Sequence, residues 1–386
     1  MRTVKAGIIG TGFIGPMHVE AARRLGFVDL IALAEMNADL ARDKAAQLSI
    51  PTAYGDYREL LADPAIEVVH ICTPNTSHYP MAKEAIAAGK SVVVEKPLAM
   101  NSRESRELTE LARKADCVAA VDFNYRFYPL NQQARAMVAD GEVGDIYVVQ
   151  GSYLQDWLYL ETDYNWRVDP DLGGESRAVA DVGSHWCDLM QFIIGHKITS
   201  VYADLDIIHH TRMKPKRAVE TYAGKELTPE DYEPVPISTE DYATVLLRFD
   251  GGARGVLTVC QVAAGRKNRL YYEIDGSKCA LAYDQEDPER LWIGHRERPN
   301  QILMRDPSLL AAGVRKYMHT PGGHPEGYPD GLKNFMRNVY TYYAQGKRPS
   351  SEPPDFPTLE AGHDEIVMVE AVIESHRRKA WVEVKY

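Results

Sequence analysis

The chain has 386 residues, of which 45% are hydrophobic and 26% are charged. These are the values of a globular protein with about two or three domains, and they exclude collagen-like, coiled-coil and wholly disordered proteins. Acidic residues outnumber lysine and arginine by 55 to 44, a formal net charge of −11, so the chain lacks an overall positive field and no nucleic-acid partner is expected.

The first third of the chain alternates apolar runs with helical stretches. From residue 4 to about residue 121, runs such as "VKAGIIG", "DLIALAE" and "SVVVEK" alternate with helical segments at residues 38–47 and 81–88. Gly89 has the position of a helix C-cap, and Asn101 or Ser102 that of an N-cap. The alternation predicts consecutive βαβ units on a doubly wound parallel sheet, an α/β fold.

A glycine motif closes the first predicted strand and opens a helix. Gly10, Gly12 and Gly15 in "GIIGTGFIG" have the spacing of the dinucleotide fingerprint, in which glycines permit a tight turn and the close approach of a pyrophosphate. A plain tight turn is the alternative, which the strand before and the helix after disfavour. Within the motif, Phe13 and Ile14 are further expected cofactor contacts.

An acidic residue follows at the spacing that selects the dinucleotide. Glu35 lies 20 residues beyond Gly15, at the end of the second predicted strand. A carboxylate there accepts hydrogen bonds from both ribose hydroxyls and repels a 2′-phosphate. Asn37 is a further candidate contact. The sequence therefore predicts NAD rather than NADP, with an ordinary exposed acid as the alternative.

The segment "CTPNTSH" follows the next predicted strand. It lies at the carboxyl edge of the sheet, where doubly wound folds bind ligands. The expected cofactor contacts here are Thr73, Pro74, Asn75 and His78. The hydroxyl groups of residues 76 and 77 are more simply explained as caps of the helix that follows.

The segment "VVVEKPLA" ends a further strand with Glu95 and Lys96. A lysine on an apolar strand is costly unless its ammonium group reaches a cleft or a partner. Lys96 is therefore a candidate site residue and Glu95 a candidate cofactor contact. A strand-end lysine turned to solvent is the alternative.

After residue 125 the pattern changes. A helix is predicted at residues 130–139, and residues 242–295 read as a meander with a Gly251-Gly252 turn, which predicts an antiparallel sheet. A last helix is predicted over residues 358–378. The expected division is a dinucleotide-binding domain at residues 1–125, an α/β domain at residues 126–358, and a C-terminal helix and tail at residues 359–386.

The segment "DVGSHWCDL" carries Asp181, His185 and Asp188 at the spacing of one helical face. An acid in this arrangement can orient an imidazole. A core histidine with helix-capping acids is the alternative. A metal site is not expected, because no cysteine or second histidine lies at ligand spacing.

Other candidate substrate contacts are weaker. Tyr153, Trp157 and Arg167 precede this segment, and the Gly/Pro-rich "GGHPEGYPD" supplies His324. The basic run "HHTRMKPKR" at residues 209–217 is predicted to be solvated surface.

The five cysteines are scattered, odd in number and never in CxxC spacing, which is typical of thiols in a reducing compartment. No apolar run approaches the roughly 18 residues that span a bilayer. A cytoplasmic protein without a membrane partner is expected.

Taken in order, "GIIGTGFIG", "CTPNTSH", "EKP", "NYRFYP", "WRVDPDLGG" and "DVGSHWCDL" resemble the motifs of the Gfo/Idh/MocA oxidoreductases, the family of glucose-fructose oxidoreductase and inositol dehydrogenase. The resemblance implies a Rossmann domain followed by an α/β domain with a large open antiparallel sheet, commonly used to form dimers or tetramers. It also implies a catalytic set, which falls here on Lys96, Asp181 and His185.

The resemblance extends to the "NYRF" segment. Asn124 and Arg126 match cofactor positions, whereas Tyr125 stands where the family has an arginine and is assigned to the substrate. A second departure is the longer "GGESRAVAD", which is expected to reshape the substrate pocket near Ser176 and Arg177.

These residues predict an NAD-dependent dehydrogenase that oxidises a ring hydroxyl of a sugar, sugar derivative or inositol. Free imidazole titrates near pH 6.5 and free lysine near 10.4, so His185 is the better base. Cationic Lys96 is then expected to stabilise the alkoxide, and Asp181 to hold the imidazole. NAD-dependent glycoside cleavage through transient oxidation and a non-catalytic NAD-sensing protein are the alternatives.

Overall fold

The computed structural model describes residues 1–216 and 228–386. The chain divides into two compact units, the first made of residues 1–127 and 327–366 and the second of residues 128–326 and 367–386. The sequence assigned residues 327–358 to the second domain, whereas in the structure they group with the first unit.

The helices of the described ranges are α1 (Ile14–Arg23), α2 (Ala38–Leu48), α3 (Tyr57–Ala62), α4 (His78–Ala87), α5 (Ser102–Ala115), α6 (Pro129–Ala139), α7 (Pro170–Gly173), α8 (Ser184–Ile194), α9 (Tyr328–Ala344) and α10 (Leu359–Arg378). The strands are β1 (Val4–Ile9), β2 (Val28–Ala34), β3 (Thr52–Tyr54), β4 (Val68–Ile71), β5 (Ser91–Val94), β6 (Ala119–Val121), β7 (Ile146–Leu154), β8 (Ile198–Asp206), β9 (Thr211–Pro215), β10 (Tyr232–Pro236), β11 (Tyr242–Phe249), β12 (Arg254–Cys260), β13 (Arg269–Gly276), β14 (Ala280–Asp284), β15 (Arg290–Gly294), β16 (Gln301–Met304) and β17 (Val382–Glu383).

The first unit is built on a six-stranded parallel sheet in the order β3-β2-β1-β4-β5-β6. The central strands β4 and β5 are buried along their whole length, as expected for strands covered on both faces. The order reverses between β1 and β4, which is the switch point of a doubly wound sheet. The predicted fold of this part of the chain is confirmed.

Local signals in the sequence placed the helix ends well. Asn101 accepts a hydrogen bond from the Glu104 amide and caps α5, and Gly89 adopts a φ of +76° just after α4, both as predicted. The predicted hydroxyl cap of α4 is wrong. Ser77 directly precedes α4, and within the described part of the chain its side chain makes no capping hydrogen bond. The turn from residue 75 to residue 77 is a single 3-10 turn that leads into the helix.

The second unit is built on a nine-stranded sheet in the order β16-β15-β14-β13-β7-β12-β11-β8-β17. All neighbours are antiparallel except β7 and β12, which run parallel. One face is buried through residues such as Val149, Val245 and Leu257. Trp186 of α8 packs on this sheet and donates its indole N–H to the Tyr271 carbonyl. Residue 151 is a glycine at this contact, because a Cβ there would lie 2.6 Å from the Trp186 nitrogen.

Within residues 1–216 and 228–386, no helix is both long enough and apolar enough to cross a membrane.

Candidate active site

The glycine motif forms the tight loop between β1 and α1. Gly10 has a φ of +84°, and a Cβ on it would lie 2.9 Å from the Cys72 carbonyl oxygen. A Cβ on Gly15 would lie 2.4 Å from the Gly10 carbonyl oxygen. By contrast, apart from its chain neighbours, no described residue has an atom within 4 Å of a Cβ built on Gly12. The first and last glycines therefore serve the turn and the helix contact, and the middle one leaves room for a ligand at the helix N-terminus.

The Glu35 carboxylate reaches back to this loop from the end of β2. Its Oε1 accepts hydrogen bonds from the Thr11 backbone amide at 2.6 Å and the Thr11 hydroxyl at 2.7 Å. This arrangement places the acid beside the glycine loop, where it fits a ribose diol. Asn37 has a different use in the structure, since its side chain accepts a hydrogen bond from the Leu40 amide and caps α2.

The segment after β4 turns its histidine inward. His78 is buried, and its two ring nitrogens lie 2.7 Å from the Pro97 carbonyl oxygen and 2.8 Å from the Thr73 carbonyl oxygen. Burial lowers the pKa of His78, although both carbonyl contacts oppose this effect. His78 therefore joins the segments that follow β4 and β5. Pro74 and Asn75 lie between β4 and α4, and Asn75 is also buried.

Glu95 and Lys96 follow β5 and differ in environment. Glu95 is buried, and its Oε1 lies 2.9 Å from His18 Nε2. Its second oxygen accepts a hydrogen bond of 3.2 Å from the Lys96 backbone amide. Lys96 itself is partly exposed. Glu95, expected as a cofactor contact, thus makes its hydrogen bonds to the interior and to the backbone that carries Lys96.

The "NYRF" segment forms a 3-10 turn from residue 124 to residue 127, after β6. Asn124 and Tyr125 are buried, and Arg126 is partly exposed. The Tyr125 ring lies 6.2 Å from the Tyr328 ring. The Asn124 side-chain nitrogen is buried and has no hydrogen-bond partner among the described residues, which leaves a donor for a ligand. The carboxyl ends of β1, β2, β4, β5 and β6 thus share one edge of the first unit, which suits a dinucleotide.

In the second unit, Asp181 lies in a π-helical turn, Val179–Gly183, directly before α8. The sequence predicted a regular helix with Asp181, His185 and Asp188 on one face. The helix forms from residue 184, and the turn that carries Asp181 directly before it is a wider, π-helical one. Such turns are frequent at functional sites.

The Asp181 carboxylate has two polar neighbours within its unit. Its Oδ2 accepts a hydrogen bond of 2.9 Å from the Gln261 side-chain amide, and its Oδ1 lies 3.4 Å from Arg167 Nε. The Arg167 guanidinium also lies 4.5 Å from the centre of the Trp166 ring. Gln261 therefore fixes one Asp181 oxygen as a hydrogen-bond acceptor.

Behind Gln261 lies a buried ionic cluster. Arg177 donates to the Gln261 side-chain oxygen at 3.2 Å and forms an ion pair with Asp241, which is also 2.7 Å from Arg212. Burial would raise the pKa of Asp241, but Arg177, the His209 amide and Arg212 lower it overall. Arg177 of this cluster thus fixes the orientation of the Gln261 side-chain amide.

This cluster corrects two expectations. The basic run was predicted to be solvated, yet Arg212 is fully buried; Arg217 lies outside the described residues. Ser176 and Arg177 were expected to shape a substrate pocket, but both are buried. The Ser176 hydroxyl and the Arg177 backbone amide donate hydrogen bonds to the Glu240 carboxylate, at 2.7 Å and 3.0 Å.

The remaining candidates have varied surroundings. His185 of α8 is buried, with its ring 6.3 Å from that of Tyr153, whose hydroxyl donates to Asn268 at 2.8 Å. Trp157 is partly exposed. The His324 side chain is exposed, and its carbonyl accepts a hydrogen bond from Arg305.

Sequence reasoning missed Gln261, His18 and Asp122. Gln261 directly follows β12 and carries no motif. His18 lies three residues beyond Gly15 and Asp122 directly follows β6, which are weak local signals.

The parallel sheet, the glycine loop and Glu35 define a dinucleotide-binding protein of the α/β class. Residues 4–123 match the oxidoreductase family with an NAD-binding Rossmann fold, and residues 131–282 match the Gfo/Idh/MocA C-terminal domain. The chain belongs to the Gfo/Idh/MocA family of oxidoreductases and binds NAD, which confirms the predicted family, fold and cofactor.

Three similar proteins cover nearly the whole chain. Levoglucosan dehydrogenase of Pseudarthrobacter phenanthrenivorans is 28% identical over 100% of this chain and 99% of its own. The crystal structure of an oxidoreductase domain protein from Kribbella flavida is 32% identical, with a TM-score of 0.89 and 100% of both chains covered. An inositol dehydrogenase homologue from Azotobacter vinelandii, in complex with NAD+, is 27% identical, with a TM-score of 0.86. The match covers 99% of this chain and 97% of the homologue.

Proposed function

We propose that this protein is an NAD-dependent dehydrogenase that oxidises a ring hydroxyl of a sugar, sugar derivative or inositol. The observation that carries the proposal is the Asp181 carboxylate, which Gln261 and Arg167 hold one helical turn before His185. Similarity to a levoglucosan dehydrogenase and to an inositol dehydrogenase homologue supports this substrate class.

The proposed roles follow from the ordinary acid-base properties of the side chains. Bound NAD supplies the hydride acceptor at its nicotinamide ring. His185 accepts the proton of the substrate hydroxyl, and Asp181 orients the imidazole and stabilises its protonated form. Lys96, as a cation, stabilises the negative charge that develops on the substrate oxygen. The hydroxyl becomes a carbonyl, the hydride passes to the cofactor and the proton to His185.

Further residues are assigned to substrate recognition. Arg167 presents a planar guanidinium whose Nε is near Asp181 and whose face lies on Trp166, which suits bidentate bonding to a polyol. Tyr125, Tyr153, Trp157 and His324 remain proposed substrate contacts.

The test is NADH formation by purified protein with aldoses, glycosides, anhydrosugars and inositols, followed by absorbance. The proposal expects stoichiometric NADH and a ketone product with at least one of these classes. Sugar release from a glycoside without net NADH would indicate cleavage through transient oxidation. NAD binding without turnover of any compound would indicate a sensing role.

We further propose that the exposed face of the nine-stranded sheet joins copies of this chain into a dimer or tetramer. The strand register places one row of side chains across that face: Tyr202, Leu246, Val256, Gln150, Glu273, Ala282, Trp292 and Ile302. Leu246 and Ile302 are 42% and 52% exposed, and self-association through this face would remove that apolar surface from water. Analytical ultracentrifugation should give a particle mass that is a multiple of the chain mass of 43.3 kDa. Leu246→Glu should lower that particle mass.

We also propose a cytoplasmic location. All five cysteines lie in the described ranges as free thiols, and four are buried, which fits a reducing compartment. Thiol titration of protein isolated under alkylating conditions should find five free thiols, and a disulfide would contradict the proposal.

A further inference from the structure

A buried cluster of ionisable side chains lies in the first unit, behind the glycine loop. We call it the interior cluster; it consists of His18 on α1, His70 on β4, Glu95 after β5 and Asp122 after β6. All four are at most 8% exposed. Neither the proposed chemistry nor the dinucleotide fingerprint gives His18, His70 or Asp122 a role.

Hydrogen bonds connect the cluster into one chain. The Tyr340 hydroxyl lies 2.6 Å from His70 Nε2, and His70 Nδ1 lies 2.9 Å from His18 Nδ1. His18 Nε2 in turn lies 2.9 Å from Glu95 Oε1 and 3.5 Å from Asp122 Oδ2. Because two Nδ1 atoms face each other, one proton lies between the rings. If His18 supplies that proton while donating from Nε2 to Glu95, its ring is an imidazolium.

The charges around His18 favour the imidazolium. Two buried carboxyl groups face one imidazole nitrogen, and two unneutralised negative charges there would carry a large desolvation cost. The second Asp122 oxygen has no hydrogen-bond partner among the described residues, which makes its ionised form still more costly. A positive His18 with an ionised Glu95 and a protonated Asp122 leaves the cluster without net charge.

The pKa directions agree with this assignment. Burial alone would lower the pKa of His18, but Cys72, Asp122 and Glu95 outweigh it and hold that pKa well above its ordinary value. Burial alone would raise the pKa of Glu95, yet His18, Lys96 and Asp122 lower it to about 2.

The other groups that face His18 have shifted pKa values as well. Burial and the charge of Glu95 raise the pKa of Asp122 to about 7. Burial and the charge of His18 hold the pKa of His70 well below its ordinary value, and burial raises the pKa of the Cys72 thiol. Beyond His70, burial raises the pKa of Tyr340 well above its ordinary value.

The interior cluster contacts the backbone amide of Lys96, the residue whose side chain is the proposed catalytic amine. One Glu95 oxygen bonds to His18 and the other accepts the Lys96 amide at 3.2 Å. We propose that His18 is a positioning residue for Lys96, because its buried imidazolium holds the Glu95 carboxylate in the orientation that binds the Lys96 amide. This proposal rests on the proposed function, because that function is what makes the position of Lys96 important. The contact between the Glu95 carboxylate and the Lys96 amide is measured without any turnover.

A metal ion is the competing occupant of the cluster. His18, Glu95 and Asp122 each offer a ligand atom, and these atoms lie within 4.8 Å of one another. A metal would bind the neutral imidazole at Nε2. The proposal requires a proton on that same nitrogen, so the protonation state of the ring separates the two.

The first experiment needs no substrate. Nitrogen NMR of the 15N-histidine-labelled full chain, with His18→Gln for assignment, reports the protonation of both His18 nitrogens. We expect a ring that stays doubly protonated at pH values above the ordinary imidazole pKa of about 6.5. A neutral ring, or metal content near one ion per chain by mass spectrometry, would overturn the proposal.

The second experiment follows the contact to Lys96. Hydrogen-deuterium exchange at the Lys96 amide should be about tenfold faster or more in His18→Gln. It should be unchanged in His363→Gln, which alters a histidine of similar burial in the same unit that bonds to Ser105. Equal exchange in wild type and His18→Gln would contradict the positioning role even if the enzyme is active.

The third experiment separates positioning from loss of structure. If a substrate is found, His18→Gln should lower kcat about tenfold with little change in KM, and Glu95→Gln added to it should restore part of kcat, because two neutral amides can pair. If the losses of kcat from His18→Gln and Glu95→Gln simply add in the double variant, the coupling between the two residues is contradicted. A wild-type protein without turnover would refute the proposed function, while the exchange result would still decide the role of His18.

Discussion

The side-chain amide of Gln261 donates a hydrogen bond to the carboxylate of Asp181, with Nε2 2.9 Å from Oδ2. The other end of the amide accepts a hydrogen bond from Arg177 at 3.2 Å. Arg177 cannot accept a hydrogen bond, so it fixes which end of the amide faces Asp181. Gln261, which belongs to no motif, thereby holds the Asp181 carboxyl group in place.

Gln261→Leu should lower kcat about tenfold, or about 1.4 kcal/mol, with little change in KM. The leucine removes the donor to Asp181 while the apolar part of the side chain remains. Steady-state kinetics with the best substrate of the panel measure the effect. Gln301→Leu, at an exposed position of β16 in the same unit, is the control. A KM increase with unchanged kcat would mean that Gln261 acts on binding only.

His185→Asn should abolish the rise of kcat toward alkaline pH, because the asparagine cannot accept the substrate proton. His196→Asn, at a surface ion pair with Asp250, is the control and should keep the rise. Burial and the charge of Glu95 raise the pKa of Asp122 to about 7, so Asp122 also titrates near neutral pH. Asp122→Asn separates the two: if that variant loses the rise while His185→Asn retains it, the base assignment is wrong.

Glu35→Ser should weaken NAD binding about tenfold and reduce the preference for NAD over NADP. The serine is too short to reach a ribose diol and no longer repels a 2′-phosphate. Fluorescence titration with NADH and NADPH measures both affinities. Asp39→Ser, in the exposed first turn of α2, should leave them unchanged. An unaltered ratio of the two affinities would refute the assignment of Glu35.

Asp241→Asn should lower the free energy of unfolding of the protein by about 3–5 kcal/mol, because it leaves Arg177 and Arg212 buried without a counter-ion. Urea denaturation measures the loss, with Asp204→Asn, at an exposed position of β8, as control. A loss below about 1 kcal/mol would show that the cluster contributes little.

The pH dependence of unfolding gives a second test of the same carboxyl. Its pKa is lower in the folded than in the unfolded chain, so it stabilises the fold above its unfolded pKa of about 3.9. That contribution is lost as the pH falls through the lower, folded pKa. Wild type should therefore lose more stability than Asp241→Asn as the solution is acidified.

Features determined by local backbone geometry were predictable from the sequence. Gly10 and Gly89 occupy positive φ angles that favour glycine, and Asn101 caps the helix that starts at the next residue. Alternating strands and helices likewise gave the parallel sheet, because their period is a local property.

Contacts between distant parts of the chain were not predictable in the same way. Arg212 looked like solvated surface because its counter-ion, Asp241, lies 29 positions further along the chain. Gln261 meets Asp181 across 80 positions, and His18 meets Glu95 across 77. No short pattern encodes such pairs, since they depend on the register of whole strands.

The most direct measurement of the central claim is kcat for Lys96→Ala, together with NADH affinity. The variant removes the cation assigned to the substrate oxygen, so kcat should fall at least about a hundredfold while the NADH dissociation constant changes little. Lys83→Ala, which loses surface contacts with Glu107 and Tyr79, should match wild type in both. Undiminished kcat in Lys96→Ala, or a loss explained entirely by weaker NADH binding, would contradict the account.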